Sequence, residues 1–391
     1  MYKRLPPFAP PISPAFTRHA TWLFVLPPVL GVAAKLTRSK LWFTDYEAVA
    51  CAGQKAMAGQ PIYDLNLACP NMHAASFVYL PGVAQAAGAL QALFSLPGFF
   101  LLYLGLYLFA TAALVLAPLR LAPVNDARTQ IPFLSFLSGS AFMGGNIAVL
   151  LHGGVLLAAL AWLESAPWLL IAVIVLAAWV KPVFLTYLAL VLVADTPWRK
   201  RVGMMACGVA AGLAPSLIFA LNGGGLAQQW MSLLSHFVYE ETPGRAWFGW
   251  LQLAGIEPAS MAAKIGYVLY AGALTGAGLA LVRMLELNRR ERLWLGFSLA
   301  VLLIPRLMSE DVFLLGPGLL IVAHRATAAG VTPRGDAVIL ALCCLCLGGG
   351  LSEMAGVTTP LALLGFALYL MWAAGALGLR YLRPVGNVVN G

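Results

Sequence analysis

The sequence predicts an all-α, polytopic transmembrane helical bundle, and three observations carry that prediction. Hydrophobic residues fill 61% of 391 positions, charged residues only 10%, and mean hydropathy is +0.85, where a soluble domain carries roughly a quarter charged residues. Apolar stretches recur along the chain, enough for about ten membrane passages joined by short loops. The net charge of +9 is spread over short loops beside those stretches, so it reports topology and not a nucleic-acid partner. Too little polar sequence is left for a separate soluble domain, and residues 1–391 read as one membrane-embedded domain.

The first 17 residues are Pro-rich and carry Lys3 and Arg4, and Thr21 to Ala34 is the first apolar stretch. It has the size of a signal peptide, with small residues at Val32-Ala33-Ala34, but is read as a retained helix. Positive loops follow at Arg120 with Arg128, Arg199-Lys200-Arg201, Arg283 to Arg292, Arg325 with Arg334, and Arg380 with Arg383. The positive-inside rule makes these cytoplasmic. Segments 36–96 and 222–262, with mixed charges and several aromatics, then face the other side as the working surface. Within them, Val83 to Phe94 and Leu226 to Phe237 are expected as amphipathic helices on the membrane surface.

Four apolar segments are shorter than the roughly 20 residues a span needs: Ile131 to Gly145, Trp168 to Val180, Pro182 to Ala194 and Val312 to His324. They flank polar breaks at Gly144-Gly145-Asn146, at Lys181-Pro182, and from Pro305-Arg306 through Ser309-Glu310-Asp311. Irregular backbone at membrane depth survives only where protein buries it or it lines a wet cavity. Three breaks therefore predict short or broken helices around one outward-facing cavity.

Asp45 lies in the run Phe43-Thr44-Asp45-Tyr46-Glu47, where Thr44 and Glu47 have capping-box spacing and put Asp45 in a helix's first turn. The dipole there favours a carboxylate, which either complements the helix or accepts a proton from a substrate hydroxyl. Lys181 and Arg306, charged residues in apolar surroundings, suit a phosphate; the plainer readings are snorkelling for Lys181 and an ion pair with Glu310 or Asp311 for Arg306. His236, beside Tyr239 and Glu240, is a further phosphate or acceptor contact or an interfacial side chain. No His pair has metal-ligand spacing, so neither a metal nor a cofactor is expected. Glu47 is read as a capping residue and Asp64 as ordering its turn. Glu164, Asp195, Glu286 and Glu353 are read as solvated loop residues. Cys51 and Cys69 share the first outer loop, where they pair in an oxidising compartment or Cys51 faces the membrane. Cys207, Cys343, Cys344 and Cys346 read as small buried side chains. Phosphate loops, dinucleotide fingerprints, nucleophile elbows and zincin motifs are all missing.

The runs Phe43-Thr44-Asp45-Tyr46, Ala58-Gly59-Gln60-Pro61-Ile62-Tyr63-Asp64 and Phe77-Val78-Tyr79-Leu80-Pro81 resemble the first outer loop of C-type glycosyltransferases in the lipid-linked mannosyltransferase family. Its pattern is an aspartate-tyrosine pair, a helix, a Gly-x-Pro-Tyr-Asp turn and a Tyr-Pro-Pro element. Looser matches follow in order over about residues 20–325: Gly145-Asn146 for Gly-Gln, Lys181-Pro182 for Lys-Pro, and Pro305 before a polar break. Departures are Asn146 for glutamine, Leu80-Pro81-Gly82 for the double proline, and Arg306 with Glu310-Asp311 where Ser, Trp and His are commoner. The resemblance implies the C-type fold and an inverting transferase working outside the cytoplasm, without nucleotide sugar or metal. Its donor would be a polyprenyl-phosphate-linked sugar and its acceptor a lipid or glycan. Asp45 would be the base, with Lys181, Arg306 and His236 on the donor phosphate, and Tyr46, Tyr79, Asn146 and Glu310 around the cavity on the acceptor side. Short loops and no organelle signal favour a bacterial inner membrane, with the site facing periplasm or exterior. The alternative is a transporter or flippase for a lipid-linked or anionic substrate, since broken helices with buried charges also mark transport sites.

Overall fold

The computed structural model describes residues 42–123, 143–331, 334–351 and 354–382, with 29, 30, 33 and 37 before them. The Pro-rich start with Lys3 and Arg4, most of Thr21 to Ala34, most of Ile131 to Gly145, and Arg128, Glu353 and Arg383 lie outside those residues. Among the described residues the regular structure is helical.

Helix α1, Thr44–Met57, starts where the chain turns through Phe43 in the left-handed region at φ 58°. Phe43 N–H donates to the Met143 carbonyl at 2.7 Å and Asp45 N–H to the Gly144 carbonyl at 3.0 Å. The first polar break is thereby docked against the start of α1, which uses two of the free N–H groups near a helix beginning. The expected capping box does not form, because Thr44 is already helical and no side chain caps the turn. Glu47 instead accepts from the backbone N–H of His73 at 2.7 Å, holding the following loop. That loop is also fastened by the Cys51–Cys69 disulfide, by Asp64 accepting from Asn66 N–H, and by Tyr63 Oη donating to the Tyr79 carbonyl.

Helix α2, Pro81–Leu121, begins with a proline in its first turn and breaks at Ser95, φ 62°. The break divides the expected surface helix from a spanning section. Its first part lies on α1, where Gln91 donates to the Ala50 carbonyl at 2.9 Å. Beyond it come α3, Ile147–Trp162, then α4, Pro167–Val180, a 3-10 turn at Pro182–Leu188, and α5, Ala189–Val193. Next are α6, Trp198–Asn222, α7, Gly224–Ser235, a π-helical turn at His236–Glu241, and α8, Trp247–Leu253. The remaining helices are α9, Met261–Met284, α10, Arg289–Leu302, α11, Gly316–Ala328, α12, Gly335–Leu351, and α13, Ala355–Leu382, with a 3-10 turn at Ser309–Leu314 between α10 and α11.

Among the described residues four helices are long and apolar enough to cross a membrane: Pro81–Leu121, Trp198–Asn222, Met261–Met284 and Gly356–Leu382. Shorter apolar helices at Ile147–Trp162, Pro167–Val180, Pro182–Val193 and Gly335–Leu347 complete a membrane-type helical architecture. The charged loops meet at one end of the α3, α4, α10 and α11 group. There Arg289 pairs with Glu164 at 3.0 Å, Arg292 with Asp195 at 2.9 Å, and Arg325 with buried Glu291 at 2.7 Å. Glu164 and Asp195 are thus paired and not simply solvated. The opposite ends of the same helices carry Asn146, Lys181, Arg306 and Glu310. Between the two ends lies a core around Tyr187, Phe184, Trp294, Phe297 and Phe313. Of the four other cysteines, Cys343 and Cys346 are buried, whereas Cys207 and Cys344 are exposed on their helices, contrary to expectation.

Candidate functional site

The three polar breaks and the start of α1 meet at one side chain. Asn146 is the N-cap of α3, and its Oδ1 accepts from Ala148 N–H at 2.9 Å. The same oxygen accepts from Lys181 Nζ at 3.0 Å. Its Nδ2 donates to Asp45 Oδ2 and to Glu310 Oε1, each at 2.9 Å. Two amide hydrogens and two carbonyl lone pairs are all used. Flipping the amide would set its N–H groups against Lys181 and its oxygen against two carboxylates, so its orientation is fixed by its partners.

Backbone shape brings each partner to that point. Asp45 stands in the first turn of α1, which is seated on Gly144. Gly145 adopts φ +66°, and a Cβ there would come within 2.4 Å of the Phe43 ring. Only glycine lets the chain pass so close to an aromatic face with that backbone. Tyr103 Oη donates to the Gly145 carbonyl at 2.6 Å and fixes the turn from below. Lys181 is the extended residue that ends α4, forced there by Pro182. Its ammonium lies 5.8 Å from the centroid of the Tyr79 ring. Asp45, Lys181, Asn146 and Glu310 are therefore brought together, with Tyr79 against them.

The other expected site residues fall differently. Arg306 donates through Nε to the Thr242 carbonyl at 2.7 Å and through Nη2 to Thr242 Oγ1. It fastens the second outer segment onto the third break, where Arg245 N–H also donates to the Leu307 carbonyl. His236 bonds Glu240 at 2.8 Å and approaches Glu241 at 3.6 Å within the π-helical turn, and is not drawn to Asn146. Tyr46 is buried among Phe99, Phe100 and Tyr103. Among the described residues its Oη has no hydrogen-bond partner. Burial, with a smaller effect of the Glu47 charge, pushes its pKa to about 12.

A second polar group beside the site escapes the sequence reading. His152, 1% exposed, bonds Tyr187 Oη through Nδ1 at 2.6 Å and Asp311 Oδ1 through Nε2 at 2.9 Å. Asp311 Oδ2 accepts from Met308 N–H at 2.8 Å. Neighbours in sequence, Glu310 and Asp311 thus reach two positions on α3. The available signal was a single imidazole in an otherwise apolar helix, which requires a partner. Both carboxyls sit in the break, outside the spans. Burial raises the Glu310 pKa and the adjacent Asp311 charge adds to it. For Asp311 burial works upward too, but the His152 hydrogen bond and charge, with Lys181 and Met308 N–H, hold it below the usual range.

Beside this hub runs an open, apolar groove of about 620 Å³ bounded by α2, α3, α4 and α6. Leu80, Ile147 and Val180 line it, each the sequence neighbour of Tyr79, Asn146 or Lys181. Among the described residues no group of three or more His, Cys, Asp or Glu could hold a metal ion. No family model matches the chain, and neither a curated protein nor a solved structure matches it. Fold and site together define a membrane-embedded helical protein with a charged hub at one end of its bundle and an apolar groove beside it.

Proposed function

We propose that the protein is an inverting glycosyltransferase that moves a sugar from a polyprenyl-phosphate carrier to a lipid or glycan acceptor. One observation carries this reading: a carboxylate and an ammonium share one amide, and the residues next to that amide and ammonium line an apolar groove. The groove suits an isoprenoid tail, and the hub suits the phosphate and sugar that follow it.

In this reading Asp45 takes the proton of the acceptor hydroxyl as that oxygen attacks the anomeric carbon. Lys181 faces the phosphate whose bond to that carbon breaks, and its charge offsets the charge developing on the leaving oxygen. Arg306 acts from farther out by holding the Thr242 loop over the third break, with its guanidinium adding positive charge. The Cys51–Cys69 disulfide lies at the hub's end of the bundle, and disulfides persist in oxidising compartments. That favours a site facing away from the cytoplasm, with the arginine-rich end inside and a bacterial inner membrane as the setting. Mannose is the sugar that the resemblance suggests.

A transporter or flippase is the second reading, favoured by the buried His152–Asp311–Tyr187 chain, since such chains relay protons in transporters. Against it, all three breaks converge at one end, whereas transport sites lie near the midplane of repeated halves.

Sugar transfer by the purified protein in nanodiscs tests both readings, using radiolabelled polyprenyl-phosphate sugars with a lipid or glycan extract. Transfer that is lost in a folded Asp45→Asn variant is the expected result. Failure of the wild type with every donor would reject the transferase and favour transport.

A further inference from the structure

Asp45 and Glu310 accept hydrogen bonds from the same nitrogen of Asn146, each at 2.9 Å. Their bonded oxygens therefore lie no farther apart than twice that distance. Two ionised carboxylates so close repel each other strongly in a low-dielectric site. Lys181 bonds their shared amide, and Arg306 acts on Glu310 from its own segment. A proton on one member relieves that repulsion.

From this geometry, and resting on the glycosyltransferase reading above, we propose that Glu310 is a second catalytic residue, the acid that protonates the departing phosphate oxygen while Asp45 serves as base.

The surroundings decide which carboxyl keeps the proton. Asp45 stands in the first turn of α1, where the dipole favours the charged form. Glu310 is adjacent to Asp311, which is held ionised by His152 and Met308 N–H. Burial and that neighbouring charge favour the neutral form of Glu310, opposed by Lys181. Around it stand Asp45 on α1, Tyr79 on the loop, Tyr107 on α2, Asn146 and His152 on α3, Lys181 after α4, and Arg306 and Asp311 on its own segment.

The step balances. The acceptor oxygen bonds to the anomeric carbon as the bond from that carbon to the phosphate oxygen breaks. The hydroxyl proton passes to Asp45 and the Glu310 proton passes to the freed phosphate oxygen. A phosphodiester with one negative charge becomes a protonated monoester with one negative charge. The carboxyl pair also keeps a single negative charge, which has moved from Asp45 to Glu310. No net charge appears in a site where charge is costly to create. After the products leave, solvent returns the proton from Asp45 to Glu310.

The test compares wild type, Glu310→Gln and Glu310→Asp in nanodiscs, measuring kcat and donor KM across about pH 5 to 9, the range in which a tuned acid and base titrate. Glutamine keeps an acceptor for Asn146 but has no acidic proton. The expected result is a bell-shaped wild-type profile and a Glu310→Gln kcat lower by about 100-fold at nearly unchanged KM. The basic limb should vanish in Glu310→Gln and persist in Glu310→Asp. Their thermal unfolding midpoints identify a misfolded variant, and Glu310→Asp then supplies the limb on its own. A wild-type basic limb that survives in Glu310→Gln, or no wild-type basic limb at all, overturns the proposal and leaves Asp45 as base. Absence of wild-type transfer from every donor removes the glycosyltransferase reading itself, and this proposal with it.

Discussion

Lys181 Nζ reaches Asn146 Oδ1 at 3.0 Å, linking the break after α4 to the cap of α3. Asn146 can serve three ionisable partners and its own helix, because an amide offers donors on one side and an acceptor on the other. Aspartate would repel the Asp45 carboxylate and lose both amide donors, and alanine would leave all three side chains without their common partner.

Replacing Asn146 by alanine should therefore lower stability by about 1–3 kcal/mol and, on the proposed glycosyltransferase reading, reduce sugar transfer by about 100-fold or more. Asn146→Asp should be worse than Asn146→Ala in both respects. Unfolding in detergent and transfer in nanodiscs would check the order. An Asn146→Asp protein as active as wild type would remove the amide from its central place.

Cys51 and Cys69 hold the loop that ends in Tyr79 against α1. Their loop is similar in length to those for which chain-entropy arguments give about 3 kcal/mol. A Cys51→Ala, Cys69→Ala double variant should lose that much, and the loop should become more sensitive to protease. Labelling of denatured protein by a thiol-reactive polymer should show two fewer free thiols in the wild type than after reduction.

Much of this was legible in the sequence, and the reason differs between elements. Short apolar runs, the Lys181-Pro182 break and the clustering of arginines are consequences of the solvent the chain faces, so composition and spacing reveal them. Asp45 was placed in a first helical turn, correctly, although on a capping box that does not form. Thr44 is already inside the helix, because Phe43 makes the turn and Gly144 supplies the acceptor. Backbone docking of that kind joins residues about a hundred positions apart and leaves no local signature. For the His152–Asp311–Tyr187 group the lone imidazole signals a partner, but which partner is not legible, since its members lie on three separate segments. Arg306 was expected on phosphate, and its observed bonds to Thr242 depend on how a distant loop folds back.

Gly145 tests the docking at Phe43. Any side chain there meets the Phe43 ring and must also adopt φ +66°. Gly145→Ala should cost about 1–3 kcal/mol from backbone strain and overpacking. If the break is what positions Asp45, activity should fall further than stability predicts. A Phe43→Leu change in the same chain should recover part of the loss, by giving the new methyl group room. Independent, additive effects of the two substitutions would mean that they do not share this contact.

His152 gives the sharpest dependence on pH. His152 Nε2 bonds Asp311 Oδ1 and its Nδ1 bonds Tyr187 Oη, so both ring nitrogens of this buried side chain have partners. Replacing His152 with leucine leaves a buried carboxylate without its main donor, and such losses cost about 3–5 kcal/mol. The Asp311 pKa is depressed in the folded protein, so its contribution to stability is present above the unfolded value of about 3.9 and is lost as pH falls through the lower folded value. For Glu310 the sign reverses: its raised pKa contributes stability below the unfolded value near about 4.3, and that contribution is lost as pH rises through the folded value. Unfolding measured against pH should consequently show wild type losing stability at the acid end through Asp311 and again toward neutrality through Glu310. In His152→Leu the acid-end loss should disappear, since Asp311 then prefers to be protonated, and folding should be strongest at low pH. Identical pH profiles for the two proteins would show that His152 does not hold the charge of Asp311.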